Sequence, residues 1–114
     1  MAWSDRNSQK IRKAYIEANP ICELCNQFGI VNAGVVVDHI IPVSIADHLK
    51  FDTDNFQTLC EDYNGASNCH SQKTALQRNI TTIEDYVNEM DGGKLMYICT
   101  EDKRDRLIRK MRGN

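Results

Sequence analysis

No apolar stretch in this chain approaches the roughly 18 residues that a membrane span needs. The opening Met1-Ala2-Trp3-Ser4-Asp5-Arg6 also lacks the charged-then-apolar layout of a signal peptide. The expectation is a cytoplasmic protein with no membrane partner. Internal repeats and low-complexity segments are missing too. Length is a further shortage: 114 residues leave no room for a second domain, so 1–114 reads as one. Folding at this size buries roughly 60 to 70% of the extended surface, a thin core for which a covalent or metal staple is useful.

Positive charge is short as well. Fourteen Lys and Arg face sixteen Asp and Glu, for a formal net charge of −2. On its face that argues against a partner as negative as DNA, because non-specific duplex affinity comes mainly from Lys and Arg on phosphates. The distribution weakens that objection: residues 1–20 carry +2, residues 101–114 carry +3 and the stretch between carries −7. Basic ends permit nucleic-acid binding without demonstrating it, since a basic terminus is as readily a solvated helix face.

The chain divides into three segments. Residues 1–20 read as an N-terminal helix over Ser4 to Ala18, with Ile11, Ala14, Tyr15 and Ala18 on one face, closed by Asn19-Pro20. Trp3 and Tyr15 are expected to pack that helix. In residues 21–78, Ile21-Cys22-Glu23-Leu24-Cys25 reads as a turn and β-branched Gly34 to Ile41 as a strand ending at Pro42. Asn55 to Cys60 reads as a short return strand and Cys69 to Arg78 as a helix. Between Pro42 and Asp54 no period is sustained, which predicts a long loop. Residues 79–114 close the molecule with a helix after the capping pair Thr82 and Asp85. There follow a strand or buried turn at Leu95 to Cys99 and a basic helix from Asp102 to Arg112 with Leu107, Ile108 and Met111 on its apolar side.

Five cysteines at partly short spacings, in a reducing compartment, point to a metal rather than to disulfides. Cys22-x2-Cys25 presents two sulfurs on one turn, and Cys60 and Cys69 supply two more, the count that tetrahedral structural zinc asks for. Eight residues separate Cys60 from Cys69, wider than a usual knuckle, and the intervening Glu61 to Asn68 is turn-rich and polar, as an inserted surface loop should be. The plain alternative is a set of cysteines that merely pack. Four thiolates would leave no open position, so zinc here would be structural. Cys99 stands apart and reads as buried.

A second constellation comprises Asp38, His39, Asn55 and His70. An acid precedes a histidine at a strand end, and a second histidine opens a helix tied back by the cysteines. Asp38 and His70 could hold magnesium, manganese or a softer divalent ion with positions left for water and phosphate oxygens, while His39, titrating near neutrality, could take a proton from the attacking water. His48 has no partner at recognisable spacing and reads as surface. Lys73 reads as a solvated helix residue within reach of phosphate.

Four blocks carry a family resemblance: Asn19-Pro20-Ile21-Cys22-Glu23-Leu24-Cys25, Val37-Asp38-His39-Ile40-Ile41-Pro42, Asn55-Phe56-Gln57-Thr58-Leu59-Cys60 and Cys69-His70-Ser71-Gln72-Lys73-Thr74. In this order they resemble a zinc-stapled, phage-associated HNH endonuclease over residues 3–75. The resemblance implies a small α+β fold, a ββα-metal core flanked by N- and C-terminal helices. It implies His39 as general base, Asp38 and His70 as ligands to magnesium or manganese, and Asn55 as the residue that fixes the His39 loop. It also implies zinc on Cys22, Cys25, Cys60 and Cys69, DNA as substrate, products with a 3′-hydroxyl and a 5′-phosphate, and a phage terminase as partner.

This chain departs from the family in the insert before Cys69 and in having Lys73 and Thr74 where some relatives place another histidine. With no separate recognition domain, the expected enzyme is a monomer of low sequence specificity, since phosphate contacts alone specify nothing. The alternatives are a non-catalytic zinc-stapled DNA-binding module and a small zinc-stabilised protein-interaction domain.

Overall fold

The computed structural model describes residues 6–61 and 68–113; Trp3 and residues 62–67 of the insert lie outside the described residues. Helix α1, Arg6–Ala18, ends as Asn19 folds back on it, its Nδ2 donating to the Tyr15 carbonyl at 3.1 Å. Its inward face differs from the expected one. Ser8 is buried and Ile11, Tyr15 and Ile16 are half-buried, whereas Ala14 and Ala18 are exposed. A polar anchor sets the rotation: the Tyr15 hydroxyl lies 2.6 Å from Glu23 Oε2 and 3.1 Å from the Phe56 carbonyl.

Pro20 starts the turn into the cysteine pair, which is tighter than a bare turn. Helix α2, Glu23–Gln27, is capped by the Cys22 sulfur, which accepts the Cys25 N–H at 3.4 Å. Gly29 at φ +81° then lets the chain reverse, and Ile21 bridges to Ala33. Gly34 is required by close approach, since a Cβ there would stand 2.1 Å from the Thr58 methyl.

Strand β1, Val36–His39, pairs antiparallel with β2, Phe56–Leu59, in the register Val36 to Leu59 and His39 to Phe56. The 42–54 segment is more ordered than a plain loop: it contains 3₁₀ turns at Asp47–Leu49 and Thr53–Asn55 and buries Ala46 and Leu49. Helix α3, Cys69–Gln77, begins at Asn68, whose Oδ1 accepts the Ser71 N–H. Helix α4, Ile83–Met90, begins at Thr82, whose hydroxyl accepts the Asp85 N–H at 3.1 Å. Leu95 to Cys99 forms a buried turn, and helix α5, Glu101–Met111, buries Leu107, Ile108 and Met111.

The fold is therefore small α+β with a two-stranded sheet. Two buried clusters support it. One gathers Cys22, Leu24, Cys25, Leu59, Cys60 and Cys69. The other sets Ile40, Ile41 and Leu49 against apolar residues of α4, the 95–99 turn and α5. Strand β1 runs from the edge of the first cluster into the second, so its C-terminal end lies at the seam.

Candidate active site and metal centre

Four sulfurs converge in the first cluster. The Sγ atoms of Cys22, Cys25, Cys60 and Cys69 all lie within 4.8 Å of one another, with Cys25 at 3.8 Å from Cys60 and 3.4 Å from Cys69. Zinc–sulfur bonds of about 2.3 Å in a tetrahedron place sulfurs about 3.8 Å apart, so the donor set fits such an ion. The insert before Cys69 does not prevent closure, because the Cys69 amide donates to the Cys60 sulfur at 3.4 Å. Burial raises the Cys22 thiol while hydrogen bonds from the Cys25 and Cys60 backbones lower it, leaving it below an ordinary thiol. Burial pushes Cys25 and Cys69 up, and neighbouring thiols add to that at Cys69. A cation at the centre is what would allow all four to ionise.

The second group assembles across the seam. Asp38 Oδ2 lies 3.7 Å from His70 Nε2, bringing a strand carboxylate and a helix imidazole together. Asp38 Oδ1 accepts the His39 N–H at 2.9 Å. His39 is 7% exposed, its ring set edge-on to Phe56, and its Nε2 lies 2.8 Å from the Lys50 carbonyl. A carbonyl only accepts, so Nε2 carries the hydrogen and Nδ1 the lone pair of the neutral ring. Burial holds the His39 pKa below its usual value, against the Lys50 hydrogen bond and the Asp38 charge, which raise it. The neutral ring is thus the favoured form at neutral pH.

Asn55, fully buried, clamps the segment behind His39. Its Oδ1 accepts the Ile41 N–H at 2.7 Å, and its Nδ2 donates to the carbonyls of Ile41 and Leu49 at 3.0 and 3.3 Å. The Ile40 carbonyl is gripped as well, by Tyr86 Oη at 2.6 Å and Gln77 Nε2 at 2.7 Å. His48 is exposed, as expected, with its ring 3.3 Å from the Lys110 carbonyl at the end of α5. Cys99 is buried, and burial pushes its thiol up to about 11.

Lys73 departs from the expectation of a solvated residue. Its side chain is fully buried, and Nζ donates to Asp38 Oδ2 at 3.1 Å and to the His39 carbonyl at 2.8 Å. Burial lowers its pKa and Asp38 opposes the fall. The three-residue step from His70 puts both on one face of α3, and that spacing was the available signal. Glu61 was missed altogether: its Oε2 lies 3.0 Å from His70 Nδ1. Nothing in the spacing of residues 61 and 70 announces that pairing.

The basic C-terminal helix is largely engaged inside the protein. Lys103 bonds Glu23, Tyr15 and the Phe56 carbonyl; Arg106 pairs with Asp54, and Lys110 with Asp52 and Asp54 at 2.6 and 2.7 Å. No helix among the described residues is long and apolar enough to cross a membrane.

A family model described as HNH endonuclease matches residues 22–76, the span that contains every cysteine of the cluster and both histidines of the seam. Among solved structures, that of the HNH endonuclease of the deep-sea thermophilic bacteriophage GVE2, with a manganese ion, is similar. It is 31% identical at a TM-score of 0.55, over 64% of this chain and 74% of that one. No curated protein matches. With that identity over most of a solved HNH endonuclease, and with the family's residue blocks folded into one site, this chain belongs to the HNH endonuclease family.

Proposed function

We propose that this enzyme hydrolyses phosphodiester bonds in DNA with His39 as general base and one divalent ion, magnesium or manganese, between Asp38 and His70. The observation that carries the reading is the convergence of Asp38 Oδ2 and His70 Nε2 at 3.7 Å, with the next residue along the strand, His39, oriented by the Lys50 carbonyl. Bound there, the ion supplies charge stabilisation at the scissile phosphate and the leaving 3′ oxygen.

The chain's own residues do the rest. Lys50 fixes the His39 tautomer through its carbonyl, so that Nδ1 takes the proton from the attacking water. Asn55 holds the backbone behind that ring, and Lys73 holds the Asp38 carboxylate and the His39 carbonyl together. Zinc is the ion proposed for the four cysteines, in a structural role. The manganese in the phage relative supports a divalent ion in the family.

The likeness to a phage enzyme supports a place in phage DNA processing; within this reading the partner is a terminase, the compartment is the host cytoplasm, and the enzyme acts as a monomer, which would nick one strand at a time. The rival reading, a binding module relying on basic ends, is disfavoured because Lys103, Arg106 and Lys110 are engaged internally.

The test is a supercoiled-plasmid nicking assay on zinc-replete protein with added magnesium or manganese, beside His39→Ala of matched folding. Removing a general base is expected to slow nicking by about 10²- to 10⁴-fold. Equal nicking by both would remove His39 from the role, and no nicking by either would return the binding module.

A further inference from the structure

The proposed reaction gives one inward-facing carboxylate no part. Glu61 directly follows the sulfur donor Cys60, and its Oε2 lies 3.0 Å from Nδ1 of His70. Its side chain is 18% exposed against 36% for the imidazole, so the carboxylate is the more sheltered partner of the two. Two backbone amides hold the partners in place. The His70 N–H donates to the Cys60 carbonyl at 3.2 Å, and the Cys69 N–H donates to the Cys60 sulfur at 3.4 Å. The first turn of α3 is therefore fastened beside residue 60, and the Glu61 carboxylate reaches the ring from there.

We infer that Glu61 is a positioning residue for the divalent-ion site: it accepts the Nδ1–H of His70 and turns the Nε2 lone pair toward Asp38. A carboxylate accepts and cannot donate, so a neutral imidazole seated on it carries its hydrogen at Nδ1. Nε2 is then an electron-pair donor 3.7 Å from Asp38 Oδ2, a separation that one ion bonded to both can span. A carboxylate behind a ligating imidazole fixes ring orientation and raises ligand basicity. Glu61 opens the insert that separates Cys60 from Cys69, so the feature in which this chain departs from the family's spacing also supplies the contact. It joins the two metal sites through consecutive residues, Cys60 to Glu61 and Cys69 to His70. The inference rests on the reading of His70 and Asp38 as ligands.

Two measurements on zinc-replete protein freed of other divalent ions test it. Long-range ¹⁵N–¹H correlation spectra report each histidine's tautomer, and the aqueous Mn²⁺ EPR signal reports manganese affinity. The parent is expected to show His70 as the Nδ1–H tautomer. Glu61→Ala should lose that preference and bind Mn²⁺ about 10- to 100-fold more weakly, with zinc content and Tm held. Glu61→Gln, whose amide oxygen still accepts from Nδ1, should keep the tautomer and fall between; it carries the affinity test if the alanine variant loses zinc. An Nε2–H tautomer in the parent, or unchanged Mn²⁺ affinity in both variants, overturns the inference. His70→Ala separates the two failures. If it weakens Mn²⁺ binding while the Glu61 variants do not, only the positioning role falls. If it too changes nothing, the ligand assignment falls and the inference with it.

Discussion

Around Cys22, Cys25, Cys60 and Cys69 the buried hydrocarbon side chains among the described residues are those of Leu24 and Leu59, with half-buried Val36 against them. Under α4 and α5, by contrast, Ile40, Ile41, Leu49, Tyr86, Met90, Leu95, Ile98 and Leu107 pack together as a far larger apolar set. Two leucines contribute on the order of 1.5 to 3 kcal/mol each when buried. Ordering the chain costs about 1 to 2 kcal/mol per residue. The sulfur cluster has too few apolar side chains to offset that by packing. One region offers a donor set that could hold an ion, and the other holds by apolar burial. The residues proposed to react sit where the two meet: His70 follows Cys69 of the sulfur cluster, and His39 precedes Ile40 and Ile41 of the apolar core. Each cluster thus positions one side of the site.

Stripping the metal proposed for the four cysteines should be the largest perturbation, because structural zinc contributes apparent binding energies of about 10 to 16 kcal/mol to small domains. A strong chelator should lower Tm steeply and release α2 and the start of α3 first, as followed by hydrogen exchange. A melt indifferent to chelator would break the contrast between the clusters. Leu107→Ala attacks the other side. With the side chain fully buried, it should cost about 2 to 5 kcal/mol in urea unfolding while leaving zinc content unchanged.

Lys73→Met probes the seam and should cost about 1 to 3 kcal/mol, since it leaves Asp38 Oδ2 and the His39 carbonyl without their ammonium. A neutral result in the same urea assay would mean that water replaces the ammonium at no cost.

The smallest effect belongs to the surface tie between the 52–54 turn and α5. Hydrogen bonding to Lys110 holds Asp54 below its ordinary 3.8, against partial burial and with help from Arg106. Its contribution is therefore present above pH 3.8 and lost as pH falls through the lowered folded value. Asp54→Asn should cost about 1 kcal/mol or less at neutral pH. That gap from the parent should close in acid, and a gap that widened there would contradict the assigned direction.

Much of this was legible in the chain itself. The Cys22/Cys25 knuckle, a strand with Asp38-His39 at its end, the Thr82 cap and the apolar side of α5 are local patterns, set by neighbours within a turn or two, although the strand stops at His39, short of the expected Pro42. Helix α1 turns a different face inward from the one its apolar stripe suggests, because a hydrogen bond from Tyr15 to Glu23 and Phe56 sets its rotation. The 42–54 stretch looks structureless in sequence because its buried apolar residues, Ala46 and Leu49, have no period and find their partners in the cluster built from Ile40, Ile41, α4, the 95–99 turn and α5. Lys73 looks solvated because lysine usually is; its burial depends on a carboxylate 35 residues away in sequence.

By itself, the sequence determined which chemistry was present: four thiols, an acid–histidine pair at a strand end, a second histidine at a helix start, and an asparagine between. Those identities and their local settings follow from short-range backbone preferences. Only the tertiary structure decided which of them meet. The closure of Cys60 onto Cys69 across an eight-residue gap, the burial of Lys73 on Asp38 and the seat of His70 between Asp38 and Glu61 each join residues from separate elements. Such contacts are fixed by packing and by the need to pair buried polar groups, and no periodicity along the chain encodes them.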